Sequence, residues 1–247
     1  MDKGGSIARK KYLEVIVHFK SLASSSAGNA YIIEESGMAP LLIDPGIGFS
    51  VFSRALGYGV SGLAGCLISH QHGDHSKGAA ELANRGVPIY TSRECAEALG
   101  VDAIHVEHGQ TFEACGWRVT AWDAVHDVRC MGFIIDAPSG DRLLFCTDSA
   151  YVPYRFDGLT HIAIGANYSE AILSARVGSG QIDMAHGERL FSCHMSIERV
   201  IEFLRANDLS ILREVHLLHL SAGNSNEAEF RLAAQRAAGV PVYVAGV

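Results

Sequence analysis

Short apolar runs broken by polar and glycine-rich segments recur along the whole chain, and stretches of helical periodicity alternate with them. Strand-length runs are predicted at 12–19, 30–34, 41–44, 63–69 and 87–91, and the alternation within 111–121 reads as sheet edge strands. Runs at 133–136 and 142–147 read as a hairpin across the turn-forming residues 137–141, and later strands are predicted at 161–165 and 214–218. Helices are predicted at 49–56, 77–84, 92–99, 196–206 and 227–238, with Ser92 placed to cap its helix and Glu94 in the first turn. Residues 21–29 read as a loop of small residues, and 171–190 as an insert rich in glycine and other small residues. The polar, basic stretch 1–11 reads as a flexible tail. No linker-like stretch divides the remainder, so 12–247 is expected to be one α/β domain with two layered sheets.

Composition narrows the class. A chain of 247 residues that is 48% hydrophobic has material for a sizeable core. Its net charge of −7 argues against binding polyanions over the whole surface, but not against a local cationic site. Cysteines 66, 95, 115, 130, 146 and 193 form no CxxC pair, and Cys66 and Cys146 fall in apolar runs, which predicts buried thiols and a reducing, cytoplasmic setting. No segment is long and apolar enough to suggest a membrane span.

The chemistry concentrates at His70-Gln71-His72-Gly73-Asp74-His75, directly after the apolar run Cys66-Leu67-Ile68. Imidazole and carboxylate are preferred ligands of zinc and neighbouring divalent ions. In an extended loop His70 and His72 point the same way and can grip one ion, while Asp74 and His75 lie over a second position. Further ligands should sit at other strand ends. His126 follows the run 117–122, Asp148 follows Leu143-Leu144-Phe145-Cys146, and His219 follows 215–218. Each also has a plainer reading, as a histidine at the rim of a core or an aspartate capping a turn. Cys193, the one thiol beside a candidate motif, is expected to point away from it, so that metal would be held by nitrogen and oxygen alone.

Taken in order, these motifs resemble the metallo-β-lactamase superfamily. Ser21 to Asn29, Val125-His126-Asp127, Ala166-Asn167-Tyr168, Cys193-His194-Met195-Ser196 and His219-Leu220-Ser221 with Asn224 are similar to its YycJ/WalJ branch, within an RNase Z-like group of phosphodiesterases. The resemblance implies a four-layer αββα sandwich with two divalent ions, zinc first and manganese as the alternative. It implies that His70, His72 and His126 hold one ion, that Asp74, His75 and His219 hold the other, and that Asp148 bridges them. It further implies that Asp44 orients the His loop, that Asn167 supports the ligands or substrate, and that His194 approaches the scissile phosphate, with Asp74 and His194 as catalytic groups. Branch members often carry Glu where this chain has Ala166, which bears on substrate rather than on metal. The implied activity is phosphodiester hydrolysis on DNA or RNA, of exonuclease type. Alternatives are a small-molecule or cyclic-nucleotide phosphodiesterase and a hydrolase of the same fold acting on thioesters or lactones. A non-enzymatic module is disfavoured because all seven ligand positions are filled. Arg155 and Arg176 are candidate phosphate contacts, a homodimer is compatible with the reading, and His18, His105, His108, His161, His186 and His216 match no ligand position.

Overall fold

Successive side chains of a strand face opposite ways, so strands that are apolar throughout must be covered on both faces. The computed structural model, which describes residues 17–57 and 59–246, does this with two sheets, each backed by helices. The first sheet runs in the order β1 (His18–Ser25), β2 (Gly28–Glu34), β3 (Leu41–Ile43), β4 (Gly65–Leu67), β5 (Ile89–Thr91), β6 (Ile104–His105). Its first three strands are antiparallel, and β3 to β6 are parallel. The second contains β7 (Thr111–Ala114), β8 (Trp117–Asp123), β9 (Met131–Asp136), β10 (Arg142–Cys146), β11 (His161–Gly165), β12 (Glu214–Leu218) and β13 (Val242–Val244), in sequential order. It changes from antiparallel to parallel at β10.

Three cores follow from the alternation. Tyr31, Ile33, Ile43 and Leu67 meet Ala121, Phe133, Leu143 and Phe145 between the sheets. Ile32, Leu42, Cys66 and Ile68 turn the other way, onto Phe52 of α1 (Phe49–Ala55), Leu82 of α3 (Ala79–Ala83) and Cys95 of α4 (Arg93–Leu99). Ile134, Leu144, Ile162 and Val215 pack on Val200 and Leu204 of α7 (Ile197–Ala206) and on Phe230 and Ala234 of α8 (Glu227–Ala238). The layers are therefore α, β, β, α, as the resemblance implied. Capping follows the sequence as well: the Ser92 hydroxyl accepts from the Cys95 amide at 3.1 Å, and the Ser196 hydroxyl from the Arg199 amide at 3.2 Å.

One expectation is corrected. Residues 21–29 are not a loop but most of the β1–β2 hairpin, paired as far as Ser25 and Gly28. Their small side chains serve close approach rather than flexibility, since a Cβ on Gly28 would lie 2.9 Å from the Gly46 carbonyl oxygen. The insert at 171–190 folds as α5 (Glu170–Gly178) and α6 (Met184–Cys193). Gly180, at φ +73°, marks the turn between them, and Gly187 lets α6 approach Val177. The helix expected at 77–84 is shorter, and a separate one-turn helix, α2 (Gly73–Ser76), lies within the His motif itself. The tail at 1–11 and the start of the strand expected from 12 lie outside the described residues.

Candidate metal centre

The candidate groups gather where strands end, at the carboxyl edge that open α/β sheets generally offer to ligands. Asp44 follows β3, His70 follows β4, Asp148 follows β10, Asn167 follows β11 and His219 follows β12. After β4 the chain extends through His70 and His72, then coils as α2, which brings Asp74 and His75 back to the sheet edge. Gly46 packs against this turn so closely that a Cβ there would fall on the Asp74 carbonyl.

Two groups of donors result. The His70 Nε2 and His126 Nε2 atoms lie 3.1 and 3.3 Å from His72 Nδ1. The Asp74 Oδ2 atom lies 3.4 Å from His75 Nε2 and 3.5 Å from His219 Nε2. Between them stands Asp148, with Oδ2 3.4 Å from His75 Nε2 and 3.9 Å from both His70 and His126 Nε2, and Oδ1 3.8 Å from His219 Nε2. His194 Nδ1 is 3.6 Å from Asp148 Oδ1. Each of three sets, His70 with His72 and His126, Asp74 with His75 and His219, and Asp148 with His194 and His219, brings its ligand atoms within 4.8 Å of one another.

The surroundings aim these rings. Asp44, buried and at φ +53°, takes the Ser69 amide on Oδ1 at 2.8 Å and the Ser69 hydroxyl on Oδ2 at 2.9 Å. The same Oδ2 accepts from His75 Nδ1 at 2.8 Å, which turns His75 Nε2 into the cluster. His126 Nδ1 donates to the Cys193 carbonyl at 2.8 Å. The Asn167 side-chain amide lies 2.8 Å from the His219 carbonyl oxygen and 2.9 Å from its Nδ1. His219 itself sits at φ +54°, a left-handed backbone that turns its ring toward the cluster at the end of β12. Alanine at position 44 should therefore lower metal affinity about 10–100-fold by releasing the His75 ring. Competition with a chromogenic chelator measures this, and unchanged affinity would reduce Asp44 to a turn former.

Charge supports a cation here. Burial would raise the Asp148 carboxyl, but His219 and His75 hold it well below the usual carboxylate range. Burial opposes the charged form of His75, yet Asp148 and Asp44 raise its pKa well above 6.5; His219, similarly buried, is raised by Asp148 and by the nearby Asp74 carboxylate. His70 differs: burial, reinforced by the His75 charge, pushes it down to about 2, and burial lowers His126 against the pull of Asp148. The His219 Nε2 atom is buried without a hydrogen-bond partner, a costly state that a cation at this atom relieves. This donor set, neutral or readily deprotonated imidazoles around two carboxylates, fits a divalent metal.

The raised histidines carry a consequence for pH. In the metal-free protein His75 and His219 keep their protons to above 6.5, so an incoming cation must displace them. Metal uptake near neutral pH is expected to release protons, and affinity to rise with pH. Isothermal titration in buffers of different ionisation enthalpy reads the proton count; pH-independent affinity between about pH 6 and 8 would contradict it.

Some of the neighbourhood was not foreseen. Asp127 Oδ1 lies 3.2 Å from His126 Nε2 and 3.5 Å from His72 Nε2, and Arg189 Nη2 holds its other oxygen at 3.1 Å. Its adjacency to His126 was the only signal in the chain. The Cys193 sulfur lies within 4.8 Å of a ring nitrogen of His126 and a carboxylate oxygen of Asp127. The Cys130 sulfur is 3.7 Å from His70 Nδ1, on the ring edge away from the cluster, and burial pushes its thiol pKa up. A cavity of about 270 Å³ opens beside the cluster, lined by His194, His219, Asn167, Asn224, Arg189 and His186 among others. His186, set aside in the sequence, thus borders the site. Arg176 is tied to Asn224 on that wall at 2.8 Å, whereas Arg155 lines a different cavity. His216 packs between Phe19 and Tyr243, and Ala166 is buried in the helix-facing core.

The chain belongs to the β-lactamase superfamily, whose domain model matches residues 40–217. It is 26% identical over 232 residues to the exodeoxyribonuclease WalJ of Streptococcus pneumoniae, covering 86% of this chain and 84% of that protein. Among solved structures it is similar to the metallo-β-lactamase fold protein YhfI of Bacillus subtilis, with TM-score 0.70, 19% identity, and 92% and 95% of the two chains covered. Human tRNase Z, short form, aligns with TM-score 0.56 and 14% identity over 92% of this chain and 96% of that one. Both structures show the shared fold. Membership implies divalent-metal binding, and the His/Asp cluster is a site that could hold metal. No helix among the described residues is long and apolar enough to cross a membrane.

Proposed function

We propose that this protein is a dinuclear metal-dependent phosphodiesterase that acts as a nuclease on DNA or RNA, in the manner of an exonuclease. The observation that carries the reading is Asp148, whose two oxygens reach toward both donor groups and toward His194 at the mouth of a cavity. In this reading His70, His72 and His126 hold one ion, Asp74, His75 and His219 the other, and Asp148 bridges. Zinc suits the imidazoles best, and manganese is the alternative. A bound pair of ions supplies Lewis acidity, lowering the pKa of water and offsetting charge on the phosphate oxygens.

The remaining steps belong to the chain. Asp74, partly exposed and held as a carboxylate by His219 and His75, holds and orients the attacking water by accepting a hydrogen bond from it. Asp44 and Asn167 keep the rings of His75 and His219 from rotating. His194, on the cavity wall, donates to the phosphate or to the leaving oxygen. The name of the Streptococcus pneumoniae relative supports nucleic acid as substrate. Purified protein should be assayed with added Zn²⁺ or Mn²⁺ against linear DNA, RNA, cyclic nucleotides and bis-nitrophenyl phosphate. Turnover of cyclic nucleotides without cleavage of either polymer would replace the nuclease reading with a small-molecule one.

A further inference from the structure

A second cavity, about 440 Å³, lies between the segment that follows Asp148 and α7, and it has a different character. Its wall is the extended segment 151–156, in which Val152, Tyr154 and Phe156 point into the helix-facing core while Tyr151, Pro153 and Arg155 face outward. Pro153 denies the segment a backbone donor, which suits an unpaired edge. Tyr151 is 47% exposed, and the Arg199 guanidinium stands 6.0 Å from its ring centre. Elsewhere Arg189 and Arg213 meet carboxylates at 3.1 and 2.8 Å. Neither Arg155 nor Arg199 forms an ion pair among the described residues. Arg199 bonds only the Ala150 carbonyl, at 2.7 Å, and Glu202, also on the wall, pairs with neither. In a chain of net charge −7, two guanidiniums without acid partners around an exposed tyrosine mark a place for an anionic ligand with flat rings.

The wall is anchored to the candidate centre. Tyr151 is three residues beyond Asp148, and the Ser149 hydroxyl donates to the Tyr151 carbonyl at 2.6 Å while accepting from the Val125 amide at 2.9 Å. The Ala150 amide donates to the Val125 carbonyl at 2.7 Å, next to His126. The wall thus begins beside the two chain segments that carry Asp148 and His126.

We propose that Tyr151, Arg155 and Arg199 form a single-strand subsite, stacking a nucleobase on Tyr151 and holding the adjoining phosphates of a strand whose scissile bond lies at the cluster. The inference rests on the nuclease reading and adds to it where the uncleaved part of the strand is held. Stacked bases and arginine-lined grooves are how single strands are bound without dependence on sequence.

Anisotropy of a labelled phosphorothioate oligothymidylate, which resists cleavage, tests it on the full chain. Tyr151→Ala with Arg155→Ala is expected to weaken binding about tenfold or more, and Tyr151→Phe to leave it unchanged. An abasic strand with the same number of phosphates should bind the native protein more weakly by about the factor lost in Tyr151→Ala. Hydrolysis of bis-nitrophenyl phosphate should be unaffected, because both side chains are exposed and outside the cluster. Unchanged oligonucleotide binding in the double variant overturns the subsite, as does equal binding of the abasic strand. Failure of the nuclease reading looks different: the native protein would hydrolyse bis-nitrophenyl phosphate yet neither bind nor cleave any nucleic acid.

Discussion

Asp148→Ala is expected to bring turnover down to the uncatalysed background and to leave the protein short of metal. Asp148 alone approaches four of the imidazoles, two from each donor group, at 3.4–3.9 Å, so its loss leaves no anion between two clusters of cationic or metal-seeking rings. It is also buried, and the substitution removes the charge that raises His75 and His219. The fold should survive, because the residue sits beyond β10 and outside the three apolar cores. Elemental analysis beside a phosphodiesterase assay reads both effects. A loss of only a fewfold, with full metal content, would show that Asp148 does not bridge.

His194→Ala separates phosphate chemistry from mere membership of a metal-binding fold. His194 ends α6 and lines the cavity, and its ring is stacked 5.4 Å from that of His219. If it serves substrate, the variant retains its metal and loses about 10²–10⁴-fold in rate, the usual effect of removing a positioned acid or charge stabiliser. The loss should shrink on bis-nitrophenyl phosphate, whose leaving group hardly needs a proton. The 3.6 Å separation from Asp148 sets up the competing outcome: metal lost along with the ring would make His194 a ligand.

Sequence and structure agree most closely where the signal is local. The runs at 161–165 and 214–218 and the helix at 227–238 coincide with β11, β12 and α8, since side-chain period and caps such as Ser92 are set by neighbours along the chain. The gathering of His and Asp side chains beyond a buried strand is likewise announced locally, by the residues 70–75 that follow β4. Legibility failed where composition imitated one structure and served another. The serines, alanines and glycine of 21–29 look like a loop but provide close packing beneath Gly46, and the glycines of 171–190 punctuate a helical pair.

By itself, then, the sequence determined the alternation of strands and helices, the chemical kind of site and the positions from which its groups would come, because those depend on periodicity and on residue type. Only the tertiary structure decided which groups meet. It set Asp148 between two sets of histidines, brought Asp127 and Cys193 to the rim, and placed Tyr151, Arg155 and Arg199 around one cavity. These encounters depend on distances between residues tens of positions apart. The packing of two sheets against each other creates such distances, and no local pattern along the chain encodes them.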